Sequence, residues 1–323
     1  MKARRVILPL LLLVEFACFL PWSGTRFDTF ANFSRGLWGN LEAVLVHAAP
    51  LLVLSLGMTV VLITAGIDLS VGSMTALIAC VMSTFGGGAD FWFTAVPVGL
   101  ILAVGLGAFN GLLVARMDVP PIIATLGTLF FYRGLCYVVL PDGKTSNVFG
   151  QVPEYAWFGE FPGAVALAGI TLLLAGTWFW WSRWRREVLM LGGNRVAARY
   201  AGIRVDFRLW QVYTLMGVCA FLAALIGTAR EGAVTANWQE GLELQVIVSV
   251  VLGGTRVDGG FGSVWGSIIG VFLVVVLDEG LRMIGHSEIQ PVMLGLLLLL
   301  GVKLNTNLFE NWRGRQPNPN AAA

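Results

Sequence analysis

Apolar runs punctuated by short polar or glycine-rich stretches organise this chain. A helix needs about 20 apolar residues to cross a hydrocarbon core. Measured against that length, the runs predict about ten spans. They lie at 6–22, 42–65, 70–86, 92–115, 120–140, 163–182, 211–230, 243–255, 262–282 and 289–304. The runs at 70–86, 243–255 and 289–304 are short. Two glycine-bearing breaks interrupt the pattern, at 64–73 and at 253–262, one in each half. The pattern predicts an all-α integral membrane protein with some short or broken helices. It forms a single transmembrane domain over 1–323, without a soluble module.

Composition sharpens this picture. Of 323 residues, 57% are hydrophobic and 12% charged, with a mean hydropathy of +0.78. A soluble chain carries about 25% charged residues. This one has too few to cover a surface in water, so lipid is its solvent. The net charge of +2 gives no reason to expect nucleic acid as a partner. Residues 1–23 have a basic start, but the apolar run that follows is long, carries Glu15 and lacks a small-x-small cleavage site. They are expected to be a retained first span.

Position of charge sets the orientation. With the N-terminus in the cytoplasm and ten spans threaded, fifteen of the 21 Lys and Arg residues face the cytoplasm. Among them are Lys2, Arg4, Arg5, Arg116, the run from Arg183 to Arg208, Arg256, Lys303 and Arg315. Arg26, Arg35, Arg133, Lys144, Arg230 and Arg282 fall on the outer side or at outer helix ends. That asymmetry follows the positive-inside rule and puts both termini in the cytoplasm. Trp22, Trp38, Trp92 and Trp238 fall near predicted outer boundaries, and Trp180, Trp181, Trp184, Trp210 and Trp312 near inner ones. These make an aromatic belt.

The chain offers little chemistry of its own. The nearest approach to a phosphate-binding loop is Asp142-Gly143-Lys144-Thr145, where the first glycine is replaced by Val138 and the loop falls outside. ATP hydrolysis is therefore expected in a partner, not here. His47 and His286 are the only histidines, and neither has metal-ligand spacing. Cys18, Cys80, Cys136 and Cys219 stand alone in apolar runs, so no disulfide or thiolate metal site is expected. No catalytic residue, metal or bound cofactor is assigned to the chain. Charges inside spans are few: Glu15, Arg133, Asp278 and Glu279, with Asp68 at a break. Charges in lipid are costly and mark function.

At the first break, Asp68, Ser70 or Ser73 can cap the following helix. A helix N-terminus at a break also offers donors to a passing polar solute. Gly66, Asp68, Ser70, Asn110, Thr125 and Arg133 are the candidate translocation path. Gly107 and Gly111, and Gly262, Gly266 and Gly270, recur every four residues and let helices approach closely, within one subunit or between two. The stretch 183–210 carries a predicted short helix with Asn194 as N-cap and Gly202 as its stop. Such a helix suits insertion into a partner's cleft, or a place on anionic lipid.

These motifs together resemble the ribose-type permeases of bacterial ABC importers. Gly57-Met58-Thr59 through Gly66-Ile67-Asp68-Leu69-Ser70-Val71-Gly72-Ser73 resembles the family's most distinctive block. Asn110-Gly111, Pro121-Ile122-Ile123-Ala124-Thr125-Leu126-Gly127-Thr128 and Arg133-Gly134 resemble its second. Gly193-Asn194, Ala197-Ala198 and Gly202-Ile203 resemble its cytoplasmic block. Glu243-Leu244, Gly253-Gly254-Thr255, Gly259-Gly260, Gly262 and Gly266 resemble its last. The resemblance spans roughly residues 50–285, in the family's order. It implies a permease that pairs with a second permease subunit in the bacterial inner membrane. ABC ATPase subunits, which bind ATP and Mg, dock on short coupling helices; a periplasmic sugar-binding protein delivers a monosaccharide such as ribose, xylose, arabinose or galactose. On this chain the coupling residues would be Asn194, Arg195, Ala197, Ala198, Arg199 and Gly202. Ala65 stands where the family often has glycine, and Val196 where an acidic residue often precedes the paired alanines. Val257-Asp258 and Asp278-Glu279 are also unusual for the family. Related alternatives are a branched-chain amino-acid or nucleoside importer permease, and a secondary transporter or channel acting alone.

Overall fold

A computed structural model describes residues 9–15, 17, 30–85, 91–141 and 144–313. Lys2, Arg4, Arg5, Cys18, Trp22, Arg26, Asp142, Gly143 and Arg315 lie outside the described residues. So does most of the expected span at 6–22, of which residues 9–15 and 17 are helical. The named helices are α1 (Phe30–Ile63), α2 (Val71–Met82), α3 (Phe91–Ala115), α4 (Pro121–Val139), α5 (Gly163–Trp181) and α6 (Arg183–Gly193). After them come α7 (Arg195–Tyr200), α8 (Val205–Glu231), α9 (Leu242–Leu252), α10 (Val264–Met283) and α11 (Gln290–Arg313). Among the described residues there is no strand, only an isolated bridge between Ser146 and Val234. The protein is an all-helical, multi-pass membrane protein.

Six helical stretches among the described residues are long and apolar enough to cross a membrane: Gly36–Ile63, Phe91–Ala115, Pro121–Val139, Gly163–Trp181, Val205–Glu231 and Val264–Met283. α2 and α9 are apolar but shorter, and they match the short runs of the sequence. α8 starts earlier than its apolar run suggests. Its first turns are held by Val205 and Leu209, which are buried with Leu191, Ala198 and Ala115 in a small satellite core. Helical order therefore continues past the hydrocarbon-length run because tertiary packing supports it.

The buried share of each span sorts centre from periphery. The α1 window is 83% buried inside the protein and that of α8 72%, while that of α5 is 22%. α1 packs against α5, α8, α9 and α10 and forms the axis of the bundle. α5 keeps Ile170, Leu173, Leu174, Trp178, Trp180 and Trp181 exposed, as a helix facing lipid does.

Backbones meet where glycines recur. A methyl group on Gly107 would lie 3.0 Å from the Gly217 nitrogen, and one on Gly111 would lie 2.9 Å from the Trp210 Cα. Methyl groups on Gly266 and Gly270 would strike the carbonyls of Gly253 and Ser249. One on Gly262 would lie 2.6 Å from Ile63 Cγ1. Gly107 and Gly111 thus seat α3 on α8, and Gly266 and Gly270 seat α10 on α9 within the chain, where close approach maximises dispersion contact that lipid cannot supply. Gly262 precedes α10 and lies against Ile63 at the end of α1, so it does not share the helix face its spacing suggests.

Candidate functional site

The first break begins with a helix end. The Gly66 N–H donates to the Val61 carbonyl at 3.2 Å and the Ala65 N–H to the Leu62 carbonyl at 2.9 Å. This is a Schellman closure, whose left-handed position is usually glycine. Ala65 holds it here, with φ +59°. The next carbonyl, that of Ile63, accepts from the Gly260 N–H at 2.9 Å, so an orphan acceptor of α1 is satisfied from the second break.

A buried polar chain follows. Asp68 is 0% exposed, and its Oδ1 accepts from the Ser70 N–H at 2.9 Å and the Ser70 hydroxyl at 2.7 Å. Asn110 Nδ2 of α3 donates to Ser70 Oγ at 2.8 Å. The Tyr132 hydroxyl of α4 donates to Asn110 Oδ1 at 3.1 Å and to the Leu106 carbonyl at 2.9 Å. Thr125, two turns before Tyr132, donates to the Ile67 carbonyl at 3.0 Å. Thus Asp68, Ser70, Asn110 and Thr125 come together around the break, and α3 and α4 are pinned to it. Irregular backbone at membrane depth needs such partners, because lipid offers none. The carboxyl closes the break locally by accepting from Ser70; the helix N-cap position itself is Ser70, whose side chain makes no cap bond. Asp68 Oδ2 and the buried Tyr213 hydroxyl are without a partner. The Tyr213 hydroxyl lies where a methyl on Gly66 would come within 2.7 Å of it.

Arg133 does not join this cluster. Its Nη1 donates to the carbonyls of Ala236 at 2.7 Å and Trp238 at 2.9 Å. Those carbonyls belong to the segment between α8 and α9, which doubles back along α2. Cys80 near the end of α2 reaches the Thr235 carbonyl, at 3.8 Å. A methyl on Gly72, near its start, would lie 2.7 Å from the Gln239 carbonyl and would strike the Glu243 carboxylate. The segment 235–239, which contains a turn closed by the Trp238 N–H and the Thr235 carbonyl at 3.1 Å, therefore lies alongside α2. Trp238 is buried and its Nε1 donates to Glu231 at 2.7 Å. The second half thus mirrors the first: a long helix, a non-helical stretch, then a short helix. The Arg133 guanidinium supplies the donors that the stretch lacks. Tyr132 and Glu243 were not among the path residues expected from sequence. Tyr132 is seven residues from Thr125, on the same face of α4, and that spacing is the signal that could have found it.

The stretch 183–210 folds as α6, α7 and the start of α8. Asn194 Oδ1 accepts from the Ala197 N–H at 3.0 Å and caps α7, and Gly202 closes it with φ +80°. Ala198 is 1% exposed and points into the satellite core. The outward face of α7 consists instead of Val196, 62% exposed, and Tyr200, 90% exposed, together with Ala197 and Arg199. Arg199 pairs with Asp206 at 3.0 Å, while Arg195 is half-buried. At the opposite end of the bundle, His47 bridges Arg230 and Glu279, and Arg282 pairs with Asp278 at 3.4 Å. Cys80, Cys136 and Cys219 are free thiols. A 340 Å³ cleft between α3 and α4, lined by Phe109, Leu113, Ile123, Ala124, Gly127, Thr128 and Phe131, is too apolar to hold a sugar.

Comparison with known proteins places this geometry. Residues 40–302 match the family described as "Branched-chain amino acid transport system / permease component". The ribose import permease protein RbsC of Escherichia coli (strain K12) is 34% identical over 270 residues, covering 81% of this chain and 84% of that protein. The protein of the same name from Bacillus subtilis (strain 168) is 36% identical over 260 residues, 78% of this chain and 80% of that one. The D-allose transport system permease protein AlsC of Escherichia coli (strain K12) is 32% identical over 275 residues, 82% and 83%. No solved structure matches. Both broken helices and the polar cluster between them fall within the matched residues, and the chain belongs to the family of branched-chain amino acid transport system permease components.

Proposed function

We propose that this chain is the membrane-spanning permease subunit of an ABC importer for a monosaccharide. The observation that carries the proposal is the similarity, over about four-fifths of the chain, to permeases named for ribose and for allose. In this reading the chain spans the bacterial inner membrane about ten times, as the run lengths suggest, with both termini and the 183–210 stretch in the cytoplasm. It forms one domain and pairs with a second permease subunit. A periplasmic binding protein delivers the sugar, and a partner ATPase binds ATP and Mg. The chain itself performs no catalysis.

Each structural feature takes a role on this basis. Asn194, Arg195, Ala197, Ala198, Arg199 and Gly202 build the coupling element. Val196, Ala197 and Tyr200 are its docking face, and Ala198 is the anchor that seats it. Gly66, Asp68, Ser70, Asn110 and Thr125 hold the first break, and Arg133 holds the facing segment. Between them runs a weak polar path rather than a tight pocket. Tight binding there would trap the sugar, and the binding protein can supply affinity instead.

Reconstitution tests this function. The chain in liposomes with its ATPase and binding protein should accumulate radiolabelled ribose only when ATP is enclosed. Uptake driven by a proton or sodium gradient in the absence of the ATPase would sink the proposal. The family description favours one second reading, a branched-chain amino acid. Competition by unlabelled leucine, and none by ribose or allose, would replace the sugar with that substrate.

A further inference from the structure

Three backbone segments meet at the end of the bundle that carries α7. The Gly260 N–H donates to the Ile63 carbonyl at 2.9 Å, joining the second break to the end of α1. Gly192, at the end of α6, lies so close that a methyl group on it would land on that same carbonyl oxygen and 2.8 Å from the Gly260 nitrogen. A methyl on Gly259 would lie 2.7 Å from the Ala65 nitrogen and 2.8 Å from the Gly192 oxygen. Gly259 and Gly260 both have positive φ, +83° and +73°, a turn that side chains disfavour. Apart from the Ala65 methyl beside Gly259, the atoms nearest Gly192 and Gly259 are backbone, and close-packed backbone transmits displacement rather than absorbing it.

The position of the junction gives it meaning. Gly192 precedes the α7 cap, Asn194, by two residues, and Ile63 precedes Asp68 by five. We infer that Gly192 is the positioning residue of the transport cycle. Through its contact with Ile63 and Gly260 it ties the ATPase-docking helix to both membrane breaks, so that a movement of α7 is delivered to the Asp68–Ser70–Asn110 cluster. The inference rests on the assignment of α7 as the docking helix. Gly193 is the internal control, since a methyl group there meets nothing within 4 Å.

The test uses the reconstituted complex of permease, ATPase and binding protein, with radiolabelled ribose as probe. The readout is sugar moved per ATP hydrolysed by the assembled complex, purified away from unbound ATPase so that loss of folded permease does not change the ratio. Gly193→Ala should leave the ratio unchanged. Gly192→Ala should keep the ATPase bound and hydrolysing while the ratio falls about tenfold, equivalent to about 1.4 kcal/mol. An unchanged ratio in Gly192→Ala overturns the inference. Should Gly192→Ala not fold, hydrogen exchange in the unmodified complex decides. Adding nucleotide should alter exchange at 194–202, 60–70 and 256–262 together. A change confined to 194–202 overturns the linkage but leaves the docking assignment standing. No change at 194–202 on binding the ATPase overturns the docking assignment, and the linkage with it.

Discussion

At the scale of single residues, the first break shows how one backbone position sets a cost. Ala65 closes the Schellman turn of α1 in the left-handed region, at φ +59°. There its Cβ crowds the following carbonyl, at a cost of about 1–2 kcal/mol. Ala65→Gly should therefore stabilise the permease by up to about 1 kcal/mol, part of the gain being lost to a freer unfolded chain. Thermal unfolding in detergent reads this, and a lower midpoint for the glycine variant would contradict the assigned turn. Asn110 is the opposite case, since it both donates to Ser70 and accepts from Tyr132. Asn110→Leu removes two buried hydrogen bonds, each contributing about 0.5–1.5 kcal/mol, although Ser70 still donates to Asp68 and Tyr132 to the Leu106 carbonyl. It should lower the midpoint more than Tyr132→Phe, which removes one hydroxyl and leaves Asn110 bonded to Ser70. The Gly-Ile-Asp-Leu-Ser stretch was legible as a break because glycine and a buried-depth carboxylate interrupt an apolar run. The role of Tyr132 was not, because its partners come from α3, more than twenty residues away.

At the scale of elements, α7 corrects the geometry of docking. The paired alanines of its motif face opposite ways: Ala198 is buried among Leu191, Val205 and Leu209, while Ala197 is exposed. A bulky ring should therefore act differently at the two sites. Ala197→Trp should block ATPase binding while the permease remains folded. Ala198→Trp should overpack the satellite core at a cost of about 1–3 kcal/mol and loosen α7 itself. Co-purification of the ATPase, with thermal unfolding measured in parallel, separates the two. Normal ATPase binding by Ala197→Trp would remove α7 as the docking face. Local signals sufficed to find this helix, because its cap, its stop and its basic flank are all near in sequence. They did not suffice for residues 232–241, whose polar composition suggests a surface turn. What draws that segment along α2 is Arg133, about a hundred positions away, which donates to two of its carbonyls. Arg133→Ala withdraws hydrogen bonds from a charged donor, each about 1.5–3 kcal/mol. It should lower transport without loss of ATPase binding, and Arg133→Lys should restore part of it. Equal transport by Arg133→Ala and the unmodified chain would show that the segment holds its place unaided.

At the scale of the whole molecule, orientation follows from where charge collects at the two ends of the bundle. The end that holds α6, α7 and the start of α8 carries Arg183, Arg185, Arg186, Arg195, Arg199, Arg204 and Arg208. The opposite end keeps Arg230 and Arg282 next to Glu231, Asp278 and Glu279, so its cations are balanced nearby. Basic residues in short loops resist translocation, whereas acidic ones contribute little to orientation. The arginine-rich end is therefore expected in the cytoplasm, where the ATPase is. The long spans were legible in sequence because hydrocarbon thickness dictates their length. The pairing of α2 with residues 235–239 was not, because short helices at membrane depth are specified by neighbours rather than by length. Orientation can be checked by fusing reporters at Ser182, where α5 gives way to α6, and at Gly150, between α4 and α5. An alkaline phosphatase fused at Gly150 should be active, since that enzyme folds only in the oxidising periplasm. The same fusion at Ser182 should be inactive, and a cytoplasmic reporter there should be active. The two sites flank a single span, α5, so their signals must be opposite in any threading that keeps it. A periplasmic signal at Ser182 would put the arginine cluster and α7 outside, beyond reach of any ATPase, and would overturn the importer reading along with the topology.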